Sequence, residues 1–174
     1  MALIEQVAVW ETIAADAAGE SPLWRSALRP AGEREETPVF SPLAADEFAL
    51  GLEAIYEGYL LHYGRPRLFT TSDRDTAVLL GDYLYAHGLV RIAELGNVDV
   101  VADLAELISV CAHLRVEGAP GDGAAWASAV ALLGRWRDAD GPSGNAGSWL
   151  ESAESGASPD AVARSLALHA ERFS

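Results

Sequence analysis

The sequence predicts an all-α fold, a single-domain bundle of five or six main helices spanning residues 1–174. Three observations predict it. Apolar residues recur at steps of three and four along several long segments, helix-starting residues stand ahead of most of them, and no useful strand-like alternation or repeat period is present. A chain of 174 residues, half of them apolar, suffices for one sizeable core and is short for two ordinary domains.

Taken in order, Leu3, Val7, Trp10 and Ala14 form one stripe of an amphipathic helix over 2–18, closed by Gly19. Residues 19–41 read as an exposed connector, rich in Pro and Gly and carrying the run Glu33-Arg34-Glu35-Glu36, with a short helix around 23–28. This is the segment expected to be mobile. Ser41-Pro42 offers a cap and a first-turn proline for a helix to Tyr63, with Phe48, Leu52, Ile55, Tyr59 and His62 at helical spacing. Gly51 and Gly58 each cost that helix about 1 kcal/mol relative to Ala, which close approach of another helix would offset.

Ser72, followed by Asp73 and Asp75, starts a helix to Leu95 whose apolar residues spread almost around the cylinder, as in a central helix. Gly81 and Asp82 are expected to be buried there at a helix crossing. Asn97 caps the next helix, over 98–115, with the seam Val100, Leu104, Leu107, Cys111 and Leu114 backed by Val101 and Ile108. These two helices are expected to form the hairpin around which the bundle is built. A further helix covers 124–137, residues 138–158 read as a Gly/Ser/Pro-rich linker, and Ser158-Pro159 opens a C-terminal helix over 159–173 that docks back through Val162, Leu166, His169 and Phe173.

Net charge is −14 and all twelve basic residues are Arg, a poor basis for binding nucleic acid or an anionic membrane surface. GC-rich coding and adaptation to high salt both account for the missing Lys. No apolar run approaches the length of a membrane span, and the N-terminus lacks a secretory pattern, so a cytoplasmic protein without membrane insertion is expected. The lone Cys111 has no partner for a disulfide or a zinc site. His62, His87, His113 and His169 fall on four separate helices without metal-ligand spacing, and the first-turn acids Asp73 and Asp75 are explained by capping. No metal, no cofactor and no complete catalytic constellation is expected.

One segment carries more specific motifs. Leu61-His62, Arg65-Pro66, Gly81-Asp82-Tyr83-Leu84 and Ala93-Glu94-Leu95-Gly96-Asn97 follow one another in an order that resembles the trans-isoprenyl diphosphate (polyprenyl) synthases, over residues 60–97. The resemblance implies a core similar to half of that family's helical barrel. Where the family's aspartate-rich DDxxD motif would follow His62, the chain reads Tyr63-Gly64-Arg65-Pro66-Arg67, and the second such motif has no counterpart. No carboxylate is then in place to hold magnesium against a diphosphate.

The leading expectation is a non-catalytic accessory or interaction protein with a prenyl-synthase-like core, forming a homodimer or hetero-complex through the helices over 42–63 and 98–115. One alternative is a binder of an isoprenoid-like apolar ligand, or a prenyltransferase-related enzyme completed by a partner subunit. Arg65 and Arg67 would then face an anionic group, and Tyr59, His62, Asp82, Tyr83, Tyr85 and His87 would line a slot between helices. The other is a free-standing regulatory or scaffold protein.

Overall fold

The computed structural model describes residues 2–139 and 141–174, with only the backbone of residues 2–7. Among them lie eight α-helices, four short 3-10 turns and no β-strand, so the all-α expectation holds. The helices are α1 (Ala2–Glu20), α2 (Pro22–Ala27), α3 (Ala49–Tyr63), α4 (Arg74–Ala93), α5 (Val98–Glu117), α6 (Asp122–Ala131), α7 (Ala146–Gly156) and α8 (Pro159–Glu171). None of them is long and apolar enough to cross a membrane.

The centre of the molecule is α3, not the predicted hairpin of α4 and α5. Every residue from Gly51 to Leu61 is buried, including Glu53 and Glu57, whereas Leu79 and Val90 of α4 are 57% and 55% exposed. The near-continuous apolarity of α4 therefore marks a helix with one uncovered side. Closest to α3 runs α4, backbone against backbone. A Cβ on Gly58 would lie 2.8 Å from the Gly81 carbonyl oxygen, and one on Gly88 2.7 Å from that of Gly51. Two glycines seven residues apart on each antiparallel helix thus form two facing pairs, the compensation that the glycine spacing of α3 called for.

Helix starts follow capping chemistry with local shifts. Ser41-Pro42 opens only a 3-10 turn, a second turn covers Asp46–Phe48, and α3 begins at Ala49. The Ser41 hydroxyl is diverted to Glu53 Oε1 at 2.5 Å and caps nothing. Asp73 caps α4 rather than Ser72, accepting from the Thr76 amide at 2.8 Å. Asn97 caps α5 as expected, and Gly118 closes that helix with φ +63°. A left-handed residue there suits glycine.

The predicted connector is fastened along its length. Ala27, Val39 and Phe40 are buried, and backbone hydrogen bonds join Arg29 to Leu68, Thr70 to Ala27 and Glu35 to Arg67. Gly19 does not end α1, which runs on to Glu20. Trp10 and Ala14 of the predicted α1 stripe are buried, while Leu3 and Val7 lie outside the described side chains.

The predicted 138–158 linker contains a helix. In α7, Asn145 and Ser148 form a reciprocal capping box, and Trp149 and Ala153 are buried against α6. Here Gly147 and Ser148 belong to a helical first turn. The segment after α6 is pinned from α5: buried Asp103 accepts from the Gly134, Trp136 and Arg137 amides at 2.8, 3.0 and 3.2 Å. Ser158 caps α8, which docks back as expected with Val162 and His169 buried.

Two cores result. One packs α1, α2 and the loop residues Leu68 and Phe69 against Ala54, Leu61, Leu80 and Leu84 of α3 and α4. The other gathers α5 to α8 with Phe40 on the opposite side of α3.

Candidate functional site

The residues expected to line a common slot are divided between these two sides. Tyr59 faces the α5–α8 core, whereas Tyr83 packs against the α1–α2 core. Tyr83 stacks on His87 at 5.5 Å, and His87 meets Asp16 of α1 at 2.9 Å. His62 stacks on Tyr85 at 5.1 Å. Its Nε2 lies 3.1 Å from Asp82 Oδ1. Burial lowers the His62 pKa, with Asp82 pulling the other way. Of the predicted Gly81-Asp82 pair only the glycine is buried, since the Asp82 side chain is 63% exposed.

Arg65 and Arg67 have opposite fates. Arg65 is exposed and donates to the Glu171 carbonyl at 3.2 Å, tying the loop to α8. Arg67 is wholly buried and its donors are spent internally, on Glu57 Oε2 at 3.0 Å, Glu53 Oε2 at 2.7 Å and the Thr37 carbonyl at 3.0 Å. Glu57 Oε1 in turn accepts the Arg67 and Leu68 amides, both at 2.8 Å. The guanidinium also lies over the rings of Trp10 and Tyr56. A cation so enclosed has nothing left for an anionic ligand, so the ligand role expected of Arg67 is withdrawn.

A second polar cluster brings together residues far apart in the sequence. Asp122 opens α6 after Gly121, whose φ of +116° suits glycine. One oxygen, Oδ2, accepts from the Tyr59 hydroxyl and from Arg115 Nη2 at 2.5 Å, and lies 3.1 Å from His169 Nε2. On the far side of the imidazole, Nδ1 meets the Tyr56 hydroxyl at 2.9 Å. Burial acts to raise the Asp122 pKa, but hydrogen bonds from His169 and Tyr59 and the charge of Arg115 outweigh it, holding the carboxyl well below its ordinary range.

The order carboxylate, imidazole, phenol looks like a proton relay, with its terminal phenol sealed from solvent. Tyr56 is 1% exposed and burial drives its pKa far up, as it does for Tyr59 and for the buried thiol of Cys111. The cluster joins α3, α5, α6 and α8. Asp122 and His169 lie 47 residues apart, so no local spacing announces them. Among the described residues, no three His, Cys, Asp or Glu side chains gather as a metal site requires. A groove of about 390 Å³ beside Ala27, Thr70, Thr71 and Thr76 contains none of the expected site residues.

The remaining feature is a surface. By helical geometry Val98, Ala102, Ala105, Ser109, Ala112 and Val116 fall within about 40° of one line along α5, opposite the buried seam of Val100, Leu104, Leu107 and Cys111. Val98 is 78% and Val116 82% exposed. The only hydroxyl on the line, Ser109, bonds back to the Ala105 carbonyl. No charged residue stands on it, in a chain of net charge −14.

The comparisons with known proteins add no family: no protein-family model, curated protein or solved structure matches the chain.

Proposed function

We propose that this protein is a non-catalytic interaction subunit whose outward α5 face docks onto another protein chain. The observation that carries the reading is the uncharged line along α5, closed at both ends by exposed valines. A strongly acidic surface that leaves this line free of carboxylates, with Asp99, Glu106 and Glu117 only beside it, suits burial of the line against a partner. The same acidity favours a protein partner over nucleic acid, and a cytoplasmic setting belongs to this reading.

Two supports come from inside the molecule. The polar clusters at Arg67 and Asp122 satisfy themselves, and the aromatic residues proposed to hold a ligand lie in separate cores. On this reading the prenyl-synthase-like segment is retained as a packing unit, in which Gly81 serves the contact of α4 with α3. The predicted contribution of α3 to docking is dropped because that helix is enclosed.

The test places a photo-crosslinking residue at Ala105, or at exposed Glu151 of α7 as a control, in the native host. A defined protein adduct at position 105, lost when Val98→Asp is added and absent at position 151, is expected. Equal labelling from both positions, or none at 105, refutes the reading.

A further inference from the structure

We infer that Arg172, Arg65 and Arg29 form a site for a small phosphate-bearing anion, which the carboxylate of Glu35 occupies from within the chain. These residues are distant in the sequence and meet because the connector before α3, the loop after α3 and the end of α8 lie side by side. The Glu35 amide donates to the Arg67 carbonyl at 3.2 Å, and the Arg65 amide to the Arg172 carbonyl at 3.0 Å. Arg172 is 6% exposed, yet only Nη2 of its guanidinium is paired, with Glu35 Oε2 at 2.5 Å. Its Nε and Nη1 are buried without a hydrogen-bond partner. Nη2 belongs to both edges through which a guanidinium makes paired bonds, so a single carboxylate oxygen leaves the second donor of each edge unmet. Arg67, also buried, shows the contrast: two carboxylates and a carbonyl meet its donors. Leaving buried donors unmet is costly, and that cost favours a ligand with more oxygens.

Among the described residues, Arg65 and Arg29 each spend a single side-chain bond on the protein, to the Glu171 and Phe69 carbonyls. The rest of each fork is left for a ligand. Their charges reach the same point. The hydrogen bond from Arg172, and the charges of Arg172, Arg65 and Arg29, hold the Glu35 pKa down against the desolvation that would raise it. Helix dipoles also favour cations at the C-terminal ends of α3 and α8, which accounts for where Arg65 and Arg172 stand but not for donors without acceptors. Phosphate suits the site better than a second carboxylate, which would bring nothing that Glu35 lacks and would compete with a tethered group at high effective concentration. A phosphate dianion brings three acceptor oxygens and a second charge. Exposed Glu33, Glu36 and Glu171 on the same segments offset the charge of the arginines. Entry is therefore by exchange with Glu35, whose side chain is 46% exposed and can swing outward.

Titration calorimetry of the full chain with inorganic phosphate, at slightly alkaline pH and constant ionic strength, tests the inference. The wild type should bind one phosphate in the millimolar range, and Glu35→Gln should tighten binding by at least about 10-fold by removing the internal competitor. Arg65→Gln should weaken it several-fold, whereas Arg135→Gln, at an exposed arginine outside the cluster, should leave it unchanged. Arg172→Gln should abolish it. Circular dichroism identifies any variant that fails to fold, and if the buried Arg172 cannot be replaced, Glu35→Gln and Arg65→Gln decide. Glycerol phosphate in place of inorganic phosphate distinguishes an ester from the free ion, and tighter binding of either supports the site and names its form. No saturable heat from Glu35→Gln at tens of millimolar phosphate, or an affinity indifferent to both Glu35→Gln and Arg65→Gln, overturns the inference. So does acetate bound as tightly as phosphate.

Discussion

Gly88 of α4 is the position at which a single methyl group tests the packing of the whole bundle. A Cβ there would lie 2.5 Å from Ile55 Cγ1, 2.7 Å from the Gly51 carbonyl oxygen and 3.1 Å from the Ile55 amide nitrogen. The isoleucine side chain could turn aside, but the other two are backbone atoms of α3. Ordinary contact begins at 3.4 Å, so α3 and α4 must part by the difference from 2.7 Å, or deform locally. Overpacking of this kind costs about 1–3 kcal/mol, set against about 1 kcal/mol gained from the better helix propensity of alanine. Gly88→Ala should therefore lose up to about 2 kcal/mol in urea unfolding, a fall of up to roughly 8 °C in Tm for a chain of this size. Gly58→Ala should behave alike, its Cβ meeting the Gly81 oxygen at 2.8 Å. Since both push on one helix separation, the double variant should lose less than the two single losses together. Gly19→Ala in α1, where a Cβ meets nothing within 4 Å, should be stabilised by about 0.5 kcal/mol. If Gly88→Ala gains stability as Gly19→Ala does, the close pairing of α3 and α4 is wrong.

Two further outcomes follow from the polar clusters. Arg67→Leu strands Glu53 and Glu57 without their cation and should cost about 3–5 kcal/mol in urea unfolding, part of it recovered by adding Glu53→Gln, and a loss under 1 kcal/mol would contradict the enclosed network. Asp122 has a folded-state pKa below its ordinary 3.8, so its contribution is fully present above that value and is lost as pH falls through the lower folded-state value. Wild type should thus lose stability relative to Asp122→Asn as pH is lowered from 4 towards 2, and parallel stability curves for the two proteins over that range would refute the assignment.

How far the sequence anticipates these features depends on whether a signal is local. Asn97 and Ser158-Pro159 mark helix starts because a cap acts within three residues, and the seam of α5 is visible because one side of that helix is apolar at regular steps. The glycines of α3 are legible for the same reason: within an apolar helix they need a nearby backbone. The centrality of α3 is hidden because it buries two glutamates and two tyrosines, which periodicity scores as partly surface. Yet Glu53 and Glu57, four residues apart on one helix face, would repel unless a cation lay between them, and that spacing was the available pointer to Arg67. Nothing in Arg65-Pro66-Arg67 itself tells which arginine turns inward. The helix α7 was obscured because its small first-turn residues, Gly147 and Ser148, also suit a linker. The Asp122 cluster was beyond reach, since its members come from four helices and meet only in the folded chain.

The hold of Asp103 on the chain after α6 bears on what α5 can do when something lands on it. A single carboxylate, 1% exposed, accepts three backbone amides and the Arg137 side chain, so lifting α5 from the body would strand a charge and several donors together. The face is in this sense mounted from behind. On the docking reading, a partner would meet it already in its bound shape and have little chain to put in order. The gain on contact then comes mainly from water released by the valines and alanines, and its calorimetric mark is a negative heat-capacity change without the large entropy loss of coupled folding.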